Sequence, residues 1–569
     1  MSKIVRLIFV SMLVLALSAI AFAQSTTTGS IGGVVTNPNK EVVTGAAVSV
    51  KNNGTNKEDS ATTDDSGRFK VPNLQPGNYT VTVNSAGFSP STMDNVVVEI
   101  GRETNLEVAL SVGPVTGTVD VSAEAPVINT TQQDFSTNLN QTSINELPVN
   151  GRRWSNFAIL TPGAVPDGNF GLISFRGISG LLNNSTVDGG DNNQAFFSEE
   201  RGRTRSAYSI SQSAIREFQV NTSNFAAEYG RSAGGVINAI TKSGTNEFHG
   251  SGFFYDRNNK WGARNPGSFI TSFVNGAIQR DALKPKDVRY QFGGTLGGPI
   301  VKDKLFFFFS YDEQRRNFPG VANFLTPNYL QTVNVCTSAA APGCTPALFN
   351  ASLKNPNRTL TDAQINSAQS FLNSLTGETP RRGDQRLFLP KVDWQINSNN
   401  TFSATYNRLR WKSPAGVQTG ATVQRDRAGF GDDFVEIDSL NMRLASTLSS
   451  KLINEFRFQW ADELDSAFAQ PPLPGEPTTA NGFSPQVTLT NGLTFGKANF
   501  LDRVALPDER RFQFADSLTY TTGNHTFKFG TDINRVRDVD ENLFTGAGAY
   551  TYSNINDFIL DYLNFAAPG

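Results

Sequence analysis

The 569-residue sequence predicts a mainly β protein whose second half is an antiparallel sheet of the kind that crosses a membrane. Three observations carry this. Beyond Asn246, segments alternate apolar and polar side chains; the links joining them alternate long and short; and 50 Gly and 43 Phe, against 4 Met, favour strands and turns over helices.

The first element is a leader. Lys3 and Arg6 precede an apolar run from Leu7 to Phe22, and Ala21-Phe22-Ala23 places small residues at the cleavage positions. That three-part pattern predicts a secretory signal peptide over residues 1–23, cut after Ala23. The run is short for a membrane anchor. A formal net charge of −2, with no long block of one sign, gives no sign of a nucleic-acid partner. His249 and His525 lie far apart, and neither they nor the two Cys form a zinc-ligand cluster. No metal, cofactor or catalytic set is expected, so an enzyme is not the reading.

Residues 24–112 carry short apolar runs, among them Val48–Lys51, Arg68–Val71 and Tyr79–Val83, punctuated by Asn-Pro, Asp-Ser-Gly and Pro-Gly. This spacing predicts a small antiparallel β-sandwich. The words "GAAVSV", "TDDSGRF" and "LQPGNYTVTV…AGF" resemble the carboxypeptidase regulatory-like domain, which implies a seven-stranded prealbumin-like sandwich. No His occurs in the segment, so it reads as a binding or spacer module and not as a zinc peptidase. Asp64 and Asp65 read as a turn before Gly67 rather than as cation ligands.

From residue 113 to 245 the texture turns to Gly, Asn, Ser and Arg. "IREFQV" and "GGVINAIT" read as strands of a small mixed sheet, while "VDGGDNN" lacks the spacing of a calcium loop. In order, "LPVNGRRWSNFAILTPGAVP", "SFRGISGLLNNSTVDGGDNN" and "SAIREFQVNTSNFAAEYGRSAGGVINAITKSGTNEFHG" resemble the plug domain of TonB-dependent outer-membrane receptors, in the Oar-like branch. The resemblance implies a mixed α/β plug inside a barrel. Arg176-Gly177 and Asp188-Gly189 carry its motifs; the glycines allow tight turns, and Arg176 and Asp188 read either as a lumenal charge pair or as solvated groups. Thr118, Val119, Asp120, Val121 and Ser122 stand where the family carries its TonB box, an extended strap that adds to a partner's sheet edge; an interdomain linker is the alternative. Arg201, Arg203 and Arg205 form a basic loop that either faces an anionic ligand or is simply solvated.

Residues 246–569 predict the barrel. His525, Phe527, Phe529 and Ile533 share one face, opposed by Asn524, Thr526, Lys528 and Asp532. Leu452, Phe456, Phe458 and Trp460 oppose Glu455, Arg457 and Gln459. Candidate strands fall near 247–256, 288–298, 303–313, 385–396, 400–411, 436–448, 451–461, 510–521 and 524–535. Links such as "PIVKD" and "NSNN" are short and their neighbours long, the rhythm of periplasmic turns and extracellular loops. In "KDKLFFFFSYDEQRR", Leu305, Phe307, Phe309 and Tyr311 are assigned to lipid, and Phe306, Phe308, Ser310 and Asp312 to the inside. Phe306 and Phe308 break the polar-inside rule, so they are expected to pack on the plug.

Cys336 and Cys344 fall in the longest link, where exposure outside the cell favours a local disulfide over free thiols. A receptor barrel has about 22 strands, and "FILDYLNFAAPG" is not a final aromatic strand, so the barrel reads as incomplete and the chain as an N-terminal fragment. The resemblance implies uptake of a scarce or bulky solute (oligosaccharide, peptide or metal chelate). TonB and its inner-membrane energising complex would be the partner, in the outer-membrane lipid of a Gram-negative bacterium. A surface protein for adhesion or export on the same barrel is the second reading.

Overall fold

The computed structural model describes residues 27–113, 119–122, 135–168, 171–202, 207–274, 277–326, 329, 362–416, 422–428, 431–449, 451–522, 525–553 and 555–566. Residues 1–26, Thr118, Arg203, Arg205, Cys336 and Cys344 therefore lie outside the described residues.

Seven strands build the N-terminal unit: β1 (Gly29–Thr36), β2 (Ala47–Asn52), β3 (Glu58–Thr62), β4 (Arg68–Leu74), β5 (Gly77–Asn84), β6 (Ser91–Val98) and β7 (Glu103–Ala109). Alternate residues point inward, and Ile31, Val48, Val50, Phe69, Tyr79, Val81 and Val83 meet in one core. Each such burial contributes roughly 1.5–3 kcal/mol. The sandwich is not wholly antiparallel as expected: β1 pairs antiparallel with β4 but parallel with β7. The second sheet runs β3-β2-β5-β6 and gains an eighth strand, β8 (Val119–Ser122), parallel to β6. Asp64 closes a turn, its Oδ1 accepting from the backbone N–H of Ser66 and of Arg68, each at 2.9 Å. Burial pushes its carboxyl upward, but the bonds from Arg68 and Ser66 together outweigh that and hold it below the ordinary carboxylate range.

The second unit is a mixed five-stranded sheet of β9 (Phe135–Leu139), β10 (Asn184–Val187), β11 (Gly190–Asp191), β12 (Ile215–Ser223) and β13 (Val236–Thr241), in the order β11-β10-β13-β12-β9. Only the β10–β13 pair is parallel within it. Helix α1 (Gln141–Glu146) is capped by Asn140, whose Oδ1 accepts from Ser143 N–H at 3.0 Å. Trp154, Phe157, Phe175 and Phe218 form the core, with Trp154 edge-on to Phe218 at 6.2 Å.

Nine strands then form one sheet in sequence order: β14 (His249–Asn258), β15 (Val288–Val301), β16 (Leu305–Asn317), β17 (Arg382–Asn397), β18 (Asn400–Ser413), β19 (Asp432–Ser449), β20 (Leu452–Phe468), β21 (Arg503–Thr522) and β22 (His525–Asn542). All nine expected segments are present and every neighbouring pair is antiparallel. The barrel is not closed; β14 and β22 are its edges. Most strands outgrow their expected spans toward the long-link end, β21 reaching 20 residues where about ten suffice to span lipid.

The long links were expected only as loops, yet they fold together. Helices α2 (Asp362–Ser374) and α3 (Ile555–Ala566) pack with the short strands Gln486–Leu489 and Thr494–Phe495 around Phe371, Leu372, Phe558 and Ile559. Phe371 and Tyr562 stack at 4.5 Å. "FILDYLNF" is thus part of helix α3 in a cap. Among the described residues no helix is long and apolar enough to cross a membrane, which bears on helices alone.

Candidate functional site: the plug seated in the barrel

The four phenylalanines set the geometry. Phe306 and Phe308 are 1% and 4% exposed, while Phe309 is 39% exposed on the opposite face. Phe308 and Leu389 of the wall join the core of the five-stranded unit, so that unit sits against the face of the sheet that carries Phe308. Higher up, Tyr208 and Ala207 pack on wall residues Leu387, Leu409, Trp411, Val435 and Ile437. Phe308 breaks the polar-inside rule because the plug core covers it; Phe306 is buried as well but is not part of that core. At the junction, a Cβ on Gly244 would stand 2.3 Å from the Phe307 carbonyl oxygen, so only glycine lets the chain pass from plug to wall there.

Both expected motifs are tight turns. Asp188 (φ 49°) and Gly189 (φ 78°) link β10 to β11, with Val187 opposite Gly190. Arg176 (φ 54°) and Gly177 (φ 79°) do the same between Phe175 and Ile178. Two successive left-handed residues are the pattern of a type I′ turn, which matches strand twist and selects Gly. The two charges do not meet. Arg176 donates to Ser223 Oγ at 3.4 Å near the surface. Asp188 instead accepts from Thr241 N–H (2.9 Å), Thr241 Oγ1 (2.6 Å) and Thr405 Oγ1 of β18 (2.9 Å), with Lys391 of β17 at 3.9 Å.

Buried charge holds the upper plug. Asp191 pairs with Arg511 of β21 and with Arg231, and accepts from Asn534 at 2.9 Å. Burial pushes its carboxyl upward, but the two guanidiniums outweigh that and hold it below the ordinary range. Arg201 is 2% exposed, 2.8 Å from Glu509 and 3.8 Å from Glu463. It engages the barrel wall rather than facing outward as a ligand-binding loop. Glu463 also accepts from Gln194 and from Gly202 N–H, both at 3.1 Å. Across the lumen, Asp312 of β16 accepts from Tyr208 Oη at 2.8 Å and Ser211 Oγ at 2.7 Å. Burial, then the Asp312 charge, raises the Tyr208 phenol well above its ordinary value.

Sequence reading found Arg201 and Asp188 but missed Asp191, Asp312, Glu463, Glu509 and Arg511. The one available signal was polar alternation, which marked Asp312 as inward without naming its partners. Among the described residues no cluster of His, Cys, Asp and Glu is placed to hold a metal ion.

A strand wall with a lipid-facing and a lumenal face, carrying its own packed plug, defines an outer-membrane β-barrel protein. The chain belongs to the outer membrane beta barrel domain family, whose profile matches residues 240–567. The carboxypeptidase regulatory-like domain matches residues 30–111. The TonB-dependent transporter Oar of Myxococcus xanthus is 31% identical over 297 residues, covering 51% of this chain and 26% of that relative. The chain thus matches about a quarter of that relative's length. Among solved structures, the siderophore receptor PirA from Acinetobacter baumannii gives a TM-score of 0.44 at 15% identity, covering 71% of this chain and 48% of that one. The outer membrane transporter YddB from Escherichia coli gives 0.45 at 13% identity, with the same coverage of 71% and 48%. These relatives are named as transporters and a receptor, not as enzymes.

Proposed function

We propose that the chain belongs to a TonB-dependent transporter that takes up a scarce or bulky solute when the plug is pulled from the lumen. Its division would be a signal peptide (1–23), a sandwich (24–112), a coupling segment with the plug (113–245) and barrel strands (246–569). TonB, driven by its inner-membrane complex, engages residues 118–122. Oligosaccharide, peptide and metal chelate fit this reading alike.

The observation that carries it is the character of the plug–barrel contact. A permanent stopper would be sealed by apolar packing. Here packing covers the lower wall, while Asp191–Arg511 and Arg201–Glu509 hold the upper plug through polar groups that water can solvate once the plug moves. Deleting residues 118–122 tests the reading in cells. The expected result is loss of energy-dependent uptake with normal surface display, and unchanged uptake would remove the coupling role.

A further inference from the structure

Residues Val119–Ser122 are not a free strap in this structure. They lie parallel to β6 in the register Ser91–Val119, Thr92–Asp120, Met93–Val121 and Asp94–Ser122. They form the last strand of the sheet and cover the β6 edge. β6 ends at Val98, and the next residues are gripped by the plug. Ile100 is 0% exposed; its N–H donates to Glu217 Oε1 at 2.9 Å. Its carbonyl accepts from Asn138 Nδ2 at 3.2 Å and Gln219 Nε2 at 3.3 Å. Gly101 has φ 65°, and a Cβ there would meet Gln219 Nε2 at 2.8 Å, so the loop fits its socket closely.

We propose that the sandwich is a tension-bearing link: β6 holds Val119–Ser122 at one end, and its continuation Ile100–Gly101 is clamped by Asn138, Glu217 and Gln219 of the plug at the other. Force on the strap then reaches plug strands β9 and β12 directly through this clamp. The covalent route through residues 123–134 acts in parallel. Parallel strands pulled along their length load all their hydrogen bonds together, which suits β6–β8 to carry tension. Glu217, Gln219 and Asn138 are positioning residues for plug opening. The inference rests on the coupling reading of residues 118–122, but its mechanics are testable apart from TonB.

The test is single-molecule pulling on the full chain in nanodiscs, with Cys336→Ser and Cys344→Ser. A handle is attached at Asp120→Cys, so no TonB is needed. The unaltered clamp is expected to give an early high-force rupture as Ile100 leaves the plug. Glu217→Ala with Gln219→Ala loses that event and inserts an extension before the plug yields; Glu217→Gln, which keeps the acceptor, restores it. A first rupture of the same force and extension in all three forms overturns the proposal, as does β8 peeling from β6 before any clamp event. Capture of the full chain by the TonB C-terminal domain, with and without residues 118–122, separately tests the coupling reading. No difference in capture defeats that reading and leaves a mechanical clamp without its physiological pull.

Discussion

Arg511 of the barrel and Asp191 of the plug form an ion pair shut off from water, the arginine 0% and the aspartate 5% exposed. Arg511 also reaches Glu509 at 3.0 Å and the Asn193 carbonyl at 2.8 Å, so one guanidinium ties the β10–β11 hairpin to β21. Removing Asp191 strips Arg511 of its charged plug partner and leaves it ion-paired only with Glu509 of its own strand, at a cost below the about 3–5 kcal/mol of a wholly uncompensated buried charge. Asp191→Ala is therefore expected to speed trypsin cleavage within residues 135–241 of the folded protein. Asp256→Ala, an exposed carboxylate on β14, leaves the rate unchanged. Equal rates in the two variants would show that the pair does not hold the plug.

Two neighbouring rings provide a sharp comparison. Phe308→Ala empties a site inside the plug core and is predicted to cost about 3–5 kcal/mol. Phe309→Ala removes a ring from the lipid face and costs distinctly less. Urea unfolding followed by the fluorescence of Trp154, which shares the core with Phe308, measures both. Equal losses would contradict the assignment of faces.

The same approach separates the two turn glycines. Alanine at Gly177 meets nothing within 4 Å, so only the left-handed backbone opposes it, at about 1 kcal/mol. Alanine at Gly189 adds a contact of 2.6 Å with Arg457 Nη1 to the same backbone cost. Gly189→Ala is predicted to be the more destabilising in thermal melts, and the reverse order would be inconsistent with this packing.

These turns also show what the sequence disclosed. "VDGG" and "FRGI" announce tight turns through local chemistry, and alternation together with the long and short links located all nine barrel strands, because a half-buried strand records its environment every second residue. The cap escaped notice because Phe371, Phe495 and Phe558 come from separate links and meet only in the fold. Arg201 was visible as a charge, but its partners Glu463 and Glu509 lie some 260 and 300 residues away. No local pattern encodes such a pairing.

Two plug carboxylates give opposite pH signatures. Burial raises Glu217 from 4.5 to about 7, so the folded form holds a proton that the unfolded form releases. Its contribution to stability is then full below about pH 4.5 and is lost as the pH climbs through about 7. Asp191 is depressed by its arginines, so its contribution is present above the ordinary carboxylate range and fades as the pH drops through its lowered value. Glu217→Gln is predicted to flatten stability across the first window, read by hydrogen exchange at Ile100, whose N–H donates to Glu217. A pH dependence that survives this substitution would assign the effect elsewhere.

The central claim is that residues 135–241 pack against one face of the nine-stranded sheet and would fill the lumen of a closed barrel that contains those strands. Conductance of a closed barrel containing these strands, in a planar bilayer with and without those residues, tests it most directly. The account predicts a silent parent protein and a large steady conductance after the deletion. A deleted protein that inserts as well as the parent yet stays equally silent would contradict it.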